Sequence, residues 1–184
     1  MEKLCLSMPF IDHNLASMLE GWMLLALNNG VREISLMVAT ELKDEDELGS
    51  ISIDAPNLKY FSFGSYTLSK LPCKYNLTSC HDLKDLRLCL CDITDESLNG
   101  YLSRFLFLEN LEISGAPMPR SVRISAQQLK SLCLRKCDNI EVIQIHAPSI
   151  SLFKFRTCII PDLVLENVTC PMEVEYGNST TDQN

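Results

Sequence analysis

The sequence predicts an α/β solenoid: a curved parallel sheet on the concave side, with mixed short strands and helices on the convex side. Three observations predict it. A short apolar frame, L-x-x-L-x-L, recurs six times along the 184 residues. Its copies are spaced closely enough for each to be one turn of chain. The segments between copies are too small to bury their own apolar sides, so neighbouring turns must stack on one another.

The frame is clearest at Leu83, Leu86, Leu88 and Cys91, and it returns at Leu129, Leu132, Leu134 and Cys137 and at Ile150, Phe153, Phe155 and Cys158. Three further copies end differently: Val31, Ile34, Leu36 and Ala39; Leu58, Phe61, Phe63 and Tyr66; Leu108, Leu111, Ile113 and Ala116. First positions at 31, 58, 83, 108, 129 and 150 give spacings of 27, 25, 25, 21 and 21 residues. These fall within the leucine-rich-repeat range of roughly 20 to 29. Residues two apart, such as Leu86 and Leu88, share one face of a strand and point into the core. The leading Leu83 and trailing Cys91 lie where the chain turns into and out of that strand.

Taken in order, residues 3–6 read as the tail of a strand, so the array starts with a truncated repeat. About six full repeats then fill residues 1–170, and a disordered polar tail occupies 171–184. Residues 12–29 predict a helix with Leu15, Met18, Leu19, Trp22, Met23 and Ala26 on one face, ended by Gly30 in the left-handed conformation. The run ELKDEDE at 41–47 holds five carboxylates and reads as a solvated loop. Residues 94–107 predict a second helix, with Thr94 as N-cap, Asp95 and Glu96 in its first turn, and Leu98, Tyr101, Leu102 and Phe105 inward. Elsewhere a second alternating run precedes the main strand, at Ile51 and Ile53, at Val122 and Ile124, and at Ile143 and Ile145. These predict extended convex segments. Pro56 and Pro148 break helix and direct the chain into the next main strand.

Composition narrows the function. A net charge of −8 argues against nucleic acid, where a basic face supplies most of the affinity, and against anionic lipid. The N-terminus has no signal-peptide pattern, and the apolar window 15–27 contains Glu20 and is too short to span a bilayer. The expected compartment is cytoplasmic or nuclear. Nine cysteines, an odd number, do not fit a secreted disulfide scaffold. The sequons at Asn76, Asn167 and Asn178 then read as chance tripeptides.

The alternation of the main strands separates inward from outward residues. The first outward positions are Glu33, Tyr60, Asp85, Asn110, Ser131 and Leu152. The second are Ser35, Ser62, Arg87, Glu112, Cys133 and Lys154. The third are Met37, Gly64, Cys89, Ser114, Arg135 and Arg156. This concave face is the surface that solenoids use for binding. Tyr60, Arg87, Glu112, Arg135, Lys154 and Arg156 are the candidate partner-binding residues. The four cations among them would receive an acidic or phosphorylated segment of a protein partner.

Catalytic and metal chemistry find no carrier. There is no G-x-S-x-G, phosphate-cradling glycine loop or Cys/His/Asn signature, and no paired C-x-x-C or H-x-x-x-H spacing. Cys89 and Cys91 fall on opposite sheet faces. Cys91, Cys137 and Cys158 share a buried turn position as small hydrophobes. Cys89 and Cys133 point outward and are expected to be the more exposed. His13, His81 and His146 are isolated surface or cap residues. The expectation is a non-enzyme without cofactor or metal.

The segment GWMLLALNNGVREISL at 21–36, the Ala-Pro-x-Leu connectors at Ala55 and Ala147, and the L-x-x-L-x-L-x-x-C frames together resemble plant F-box/LRR proteins of the FBD type. The resemblance covers roughly residues 4–165. It implies the substrate-recognition arm of an SCF-type ubiquitin ligase, with a protein substrate or target peptide as partner. The F-box that docks a Skp-type adaptor is absent here, so the chain is expected to be a fragment or truncated member that binds no adaptor alone. The alternative is a leucine-rich-repeat ectodomain of a secreted or receptor protein, to which the sequons and cysteines would belong.

Overall fold

A computed structural model of the chain describes residues 3–8, 15–38, 49–65, 73–89, 95–115, 118–137, 139–156, 160–169 and 173–177. In chain order the elements begin with β1 (Lys3–Met8), α1 (Leu15–Asn28), β2 (Glu33–Val38), β3 (Gly49–Ser52) and β4 (Tyr60–Ser65). There follow β5 (Cys73–Asn76), β6 (Asp85–Cys89), α2 (Asp95–Arg104), β7 (Asn110–Ser114) and β8 (Ser121–Ser125). The last are β9 (Ser131–Arg135), β10 (Val142–His146), β11 (Leu152–Arg156), β12 (Asp162–Glu166) and β13 (Glu173–Gly177).

Eight strands form one parallel sheet in the order β1-β2-β4-β6-β7-β9-β11-β13. The convex side carries a three-stranded sheet, β12-β10-β8, a pair, β3-β5, and the two helices. This is the expected leucine-rich-repeat solenoid.

The frame explains the packing position by position. Its inward residues, from Ile34 and Leu36 to Phe153 and Phe155, are buried, and so are the leading residues Val31, Leu58, Leu83, Leu108, Leu129 and Ile150. Convex residues such as Val122, Ile124, Ile143 and Ile145 meet them from the other side to form one continuous core. At about 25 cal/mol per Å² of apolar surface removed from water, this stack is the main stabilising term. A tight turn precedes β4, β6, β7 and β11. The carbonyls of Ala55, Cys80, Phe105 and Ala147 accept from the amides of Leu58, Leu83, Leu108 and Ile150 at 3.0–3.3 Å. Cys80 therefore fills the same turn position as two alanines and a phenylalanine. Burial raises its thiol to about 11, and Sγ donates to the Ile53 carbonyl at 3.6 Å.

Helix α1 ends as expected. Gly30 adopts φ 75°, its amide donates to Leu27 O, and the Val31 amide donates to Ala26 O, a Schellman closure with Val31 and Ala26 both buried. Its inward face is narrower than the periodicity predicts. Met23 and Ala26 are buried, whereas Met18 and Trp22 are 46% and 39% exposed. The helix rests on the core along one side, and Met18 and Trp22 lie at the edge of that contact. In α2, Leu98 and Leu102 are buried as expected, as is Phe105 just past its end, and Tyr101 stacks on Phe105 at 5.9 Å. Thr94 and the acidic run 41–47 lie outside the described residues.

Three further corrections concern strands and thiols. Residues 173–177 belong to the sheet: β13 pairs in parallel with β11 over its whole length, so that part of the expected polar tail continues the solenoid. Two glutamates in five residues gave the stretch a polar look; backbone pairing with β11 places it in the sheet although Val174 stays 51% exposed. The convex strands β5 and β12 were not expected either. Lastly, Cys133 points outward but is only 6% exposed, because flanking side chains on the sheet cover it. Cys137 is buried as expected; Cys91 and Cys158 lie outside the described residues.

Candidate functional site

Parallel pairing places equivalent frame positions side by side, so the concave face is ruled into three rows. The first runs Lys3, Glu33, Tyr60, Asp85, Asn110, Ser131, Leu152, Glu173. The second runs Cys5, Ser35, Ser62, Arg87, Glu112, Cys133, Lys154, Glu175. In the third, Arg135 stands between Ser114 and Arg156. Strands about 4.8 Å apart bring neighbours in a row into side-chain contact.

All six residues expected to bind a partner lie on this face. The structure links four of them into one chain of contacts. The Tyr60 ring sits between two cations, Lys3 Nζ at 5.7 Å and the Arg87 guanidinium at 5.6 Å from its centroid. Arg87 Nε reaches Glu112 Oε2 at 3.8 Å, and Arg135 Nη1 reaches Glu112 Oε1 at 3.4 Å. Glu112 thus stands between two of the expected cations and lowers the local charge. Lys154 and Arg156 continue the second and third rows, adjacent to Cys133 and Arg135.

Between these groups lies a shallow open depression of about 220 Å³. Asp85, Arg87, Asn110, Glu112, Ser131 and Cys133 line it, with Leu86 and Leu111 beneath. Carboxylate, guanidinium, amide and hydroxyl groups therefore converge on one patch, which suits hydrogen bonding to a polypeptide better than binding of an apolar small molecule.

Two of the concave thiols, Cys89 and Cys133, are disfavoured as thiolates. Burial pushes Cys89 and Cys133 up, and Glu112 adds to the rise at Cys89. Arg135 opposes it at Cys133, donating from Nε to Sγ at 3.2 Å. A nucleophilic cysteine needs the opposite balance. Gly64 fits where it does because a Cβ there would lie 2.8 Å from Cys89 Cβ and 3.3 Å from Met37 Sδ.

A second line of charge runs along the leading lip, where the chain enters each concave strand. Arg32, Lys59, Lys84, Glu109 and Lys130 follow one another there, each amide from Lys59 onward donating to the preceding residue's carbonyl at 2.8–2.9 Å. Lys84 and Lys130 clasp Glu109 at 2.8 and 2.6 Å. The hydrogen bonds from Lys130 and Lys84 hold its carboxyl at about 2, and Glu109 in turn raises the Lys84 ammonium. The outward residues alone miss this ladder. Its signal was nevertheless in the frame: the second frame position is charged in five of six copies.

Among the described residues no group of three or more His, Cys, Asp or Glu side chains could hold a metal ion. His81 is exposed, and His146 lies beside Asn167 at 3.3 Å and Glu166 at 4.0 Å. No helix among the described residues is long and apolar enough to cross a membrane.

The LRR domain of At1g61320/AtMIF1 matches residues 1–181. A comparison with curated proteins and one with solved structures each give no match.

Proposed function

Because the chain belongs to the leucine-rich-repeat family typified by the At1g61320/AtMIF1 LRR domain, we propose that it is a non-catalytic protein-interaction module whose concave face holds a segment of a protein partner. The observation that carries this reading is the linked patch of Tyr60, Arg87, Glu112 and Arg135 beside an open polar depression. Aromatic and arginine side chains are the types that dominate interface energetics. The described thiols, Cys5, Cys80, Cys89, Cys133 and Cys137, have no part in chemistry under this reading.

The finer reading is that of a substrate-recognition arm for an SCF-type ubiquitin ligase, working in the cytoplasm or nucleus. It draws on the resemblance of the 21–36 segment and the Ala-Pro connectors to F-box/LRR proteins. Coupling to a Skp-type adaptor would then need an F-box joined to this array.

Affinity capture from cells tests the first part. Partners held by the wild-type chain should be lost from the double variant Arg135→Glu with Lys154→Glu, and retention of all of them would sink the concave site. Fusing an F-box to the chain tests the second. A captured partner should become ubiquitinated and fall in abundance; if it is held but unchanged, the interaction reading stands and the ligase reading fails. Expression in a secretory host addresses the ectodomain alternative, which the exposed Asn76 sequon favours. A glycan on Asn76 together with paired cysteines would support it.

A further inference from the structure

We infer that the leading lip of the solenoid is a second docking strip, and that its occupant is a linear protein segment pairing large apolar with acidic side chains. The inference rests on reading the chain as an interaction module but uses a different face.

Two independent observations carry it. The first is apolar. The tight turns before the concave strands present two residues outward at the lip. These are Pro56 and Asn57, His81 and Asp82, Leu106 and Phe107, Gln127 and Gln128, and Pro148 and Ser149. Leu106 and Phe107 are the exception in this series. They leave 69% and 54% of their surface in water while Phe105 and Leu108 on either side are buried. Nothing in the turn requires them, because the same hydrogen-bonded turn is built with Pro56 and Asn57 and with Pro148 and Ser149, and the next repeat carries Gln127 and Gln128 at this place. Exposed apolar side chains at a position that tolerates polar ones mark a contact surface. Further along the lip, Leu24, Leu27 and Pro56 line an open pocket of about 250 Å³ that also includes Arg32 and Asp54.

The second observation is electrostatic. In a chain of charge −8 the lip gathers Arg32, Lys59, Lys84 and Lys130 against one ladder carboxylate, Glu109. Lys84 and Lys130 share that carboxylate. Arg32 and Lys59 are exposed and carry no ion pair among the described residues. Asp54 and Asp82 stand on the turn side, so acidic groups would be drawn to the ladder and apolar ones to the turns. Backbone hydrogen bonds stack both the rungs and the turns, the Asp82 amide donating to Pro56 O at 3.2 Å. Rungs roughly 4.8 Å apart and a peptide rise of roughly 3.3 Å per residue let a short extended segment that runs along the lip span several rungs. The net charge disfavours RNA as the occupant, since one short ladder cannot supply the basic face that it needs.

Selection from a phage-displayed random peptide library on the intact chain, followed by fluorescence anisotropy of the enriched peptides, tests the strip. Enriched peptides should combine leucine or aromatic residues with aspartate or glutamate. Leu106→Gln with Phe107→Gln, which copies the next repeat's turn, should weaken them roughly tenfold or more. Lys59→Glu should weaken them several-fold and flatten their salt dependence. Arg135→Glu with Lys154→Glu should leave them unchanged, which separates failure of the lip from failure of the concave site. Lack of an acidic bias, binding indifferent to the lip substitutions, no enrichment at all, or binding of poly-uridylate in place of acidic peptides would each overturn the inference. Circular dichroism of each variant confirms that it folds.

Discussion

The concave and convex sides differ in continuity. Among the described residues eight strands run without a break through the concave sheet, while the convex side is divided among two helices, a strand pair and a three-stranded sheet. Every turn supplies the same short strand in the same register on one side, and whatever length remains is folded on the other. Between first frame positions, turns of 21 residues place β8 and β10 on the convex side, while a turn of 25 accommodates α2. The concave side is therefore where a fixed array of side chains can be built. The convex side absorbs the variation in repeat length.

That contrast can be broken or sharpened by substitution. If both sides share one core, Phe61→Ala on the concave sheet should cost about 3–5 kcal/mol and Ile143→Ala on the convex sheet about 2–5 kcal/mol, read by urea denaturation. A loss below about 1 kcal/mol at Ile143 would make the convex layer an accessory. Gly64→Val on the concave face should cost about 1–3 kcal/mol, because the new Cβ meets Cys89 Cβ at 2.8 Å. If stability is unchanged there, the face is looser than its register implies.

At the convex helix end, Gly30→Ala should cost about 1 kcal/mol by forcing an L side chain to φ 75°. Smallest of all is Glu109→Gln on the lip, at no more than about 1 kcal/mol for an exposed pair. Its signature is the pH dependence. The folded carboxyl is held at about 2 and the unfolded one titrates near 4.3. The contribution is thus fully present above the unfolded value and lost as pH falls from about 4 towards 2. Stability curves of the wild type and the variant should converge over that window.

Much of the sheet was legible because alternation is a local property. The first two outward rows read from the frames are the rows that the paired strands display, residue for residue from Glu33 to Lys154, and the third matches them except that Gly64 and Cys89 are neighbours without being ladder partners. Strand β13 was missed because its alternation is short and two of its five residues are glutamates. Trp22 was placed inward by helical period alone, which states what shares a face but not how wide the contact is. The exposure of Cys133 was misjudged for a related reason. Pointing outward from a sheet does not mean meeting water when Glu112, Lys154 and Arg135 stand around it.

The sequence by itself determined the repeat, its register, the inward columns and the side of the sheet on which each charge would stand. A period-two strand inside a fixed frame leaves no freedom in those matters. Tertiary structure alone decided which charges meet. Glu112 lies between Arg87 and Arg135, and Glu109 between Lys84 and Lys130, across sequence separations of 21 to 25 residues. Those pairs depend on the parallel stacking of whole turns, which converts distance along the chain into one strand spacing.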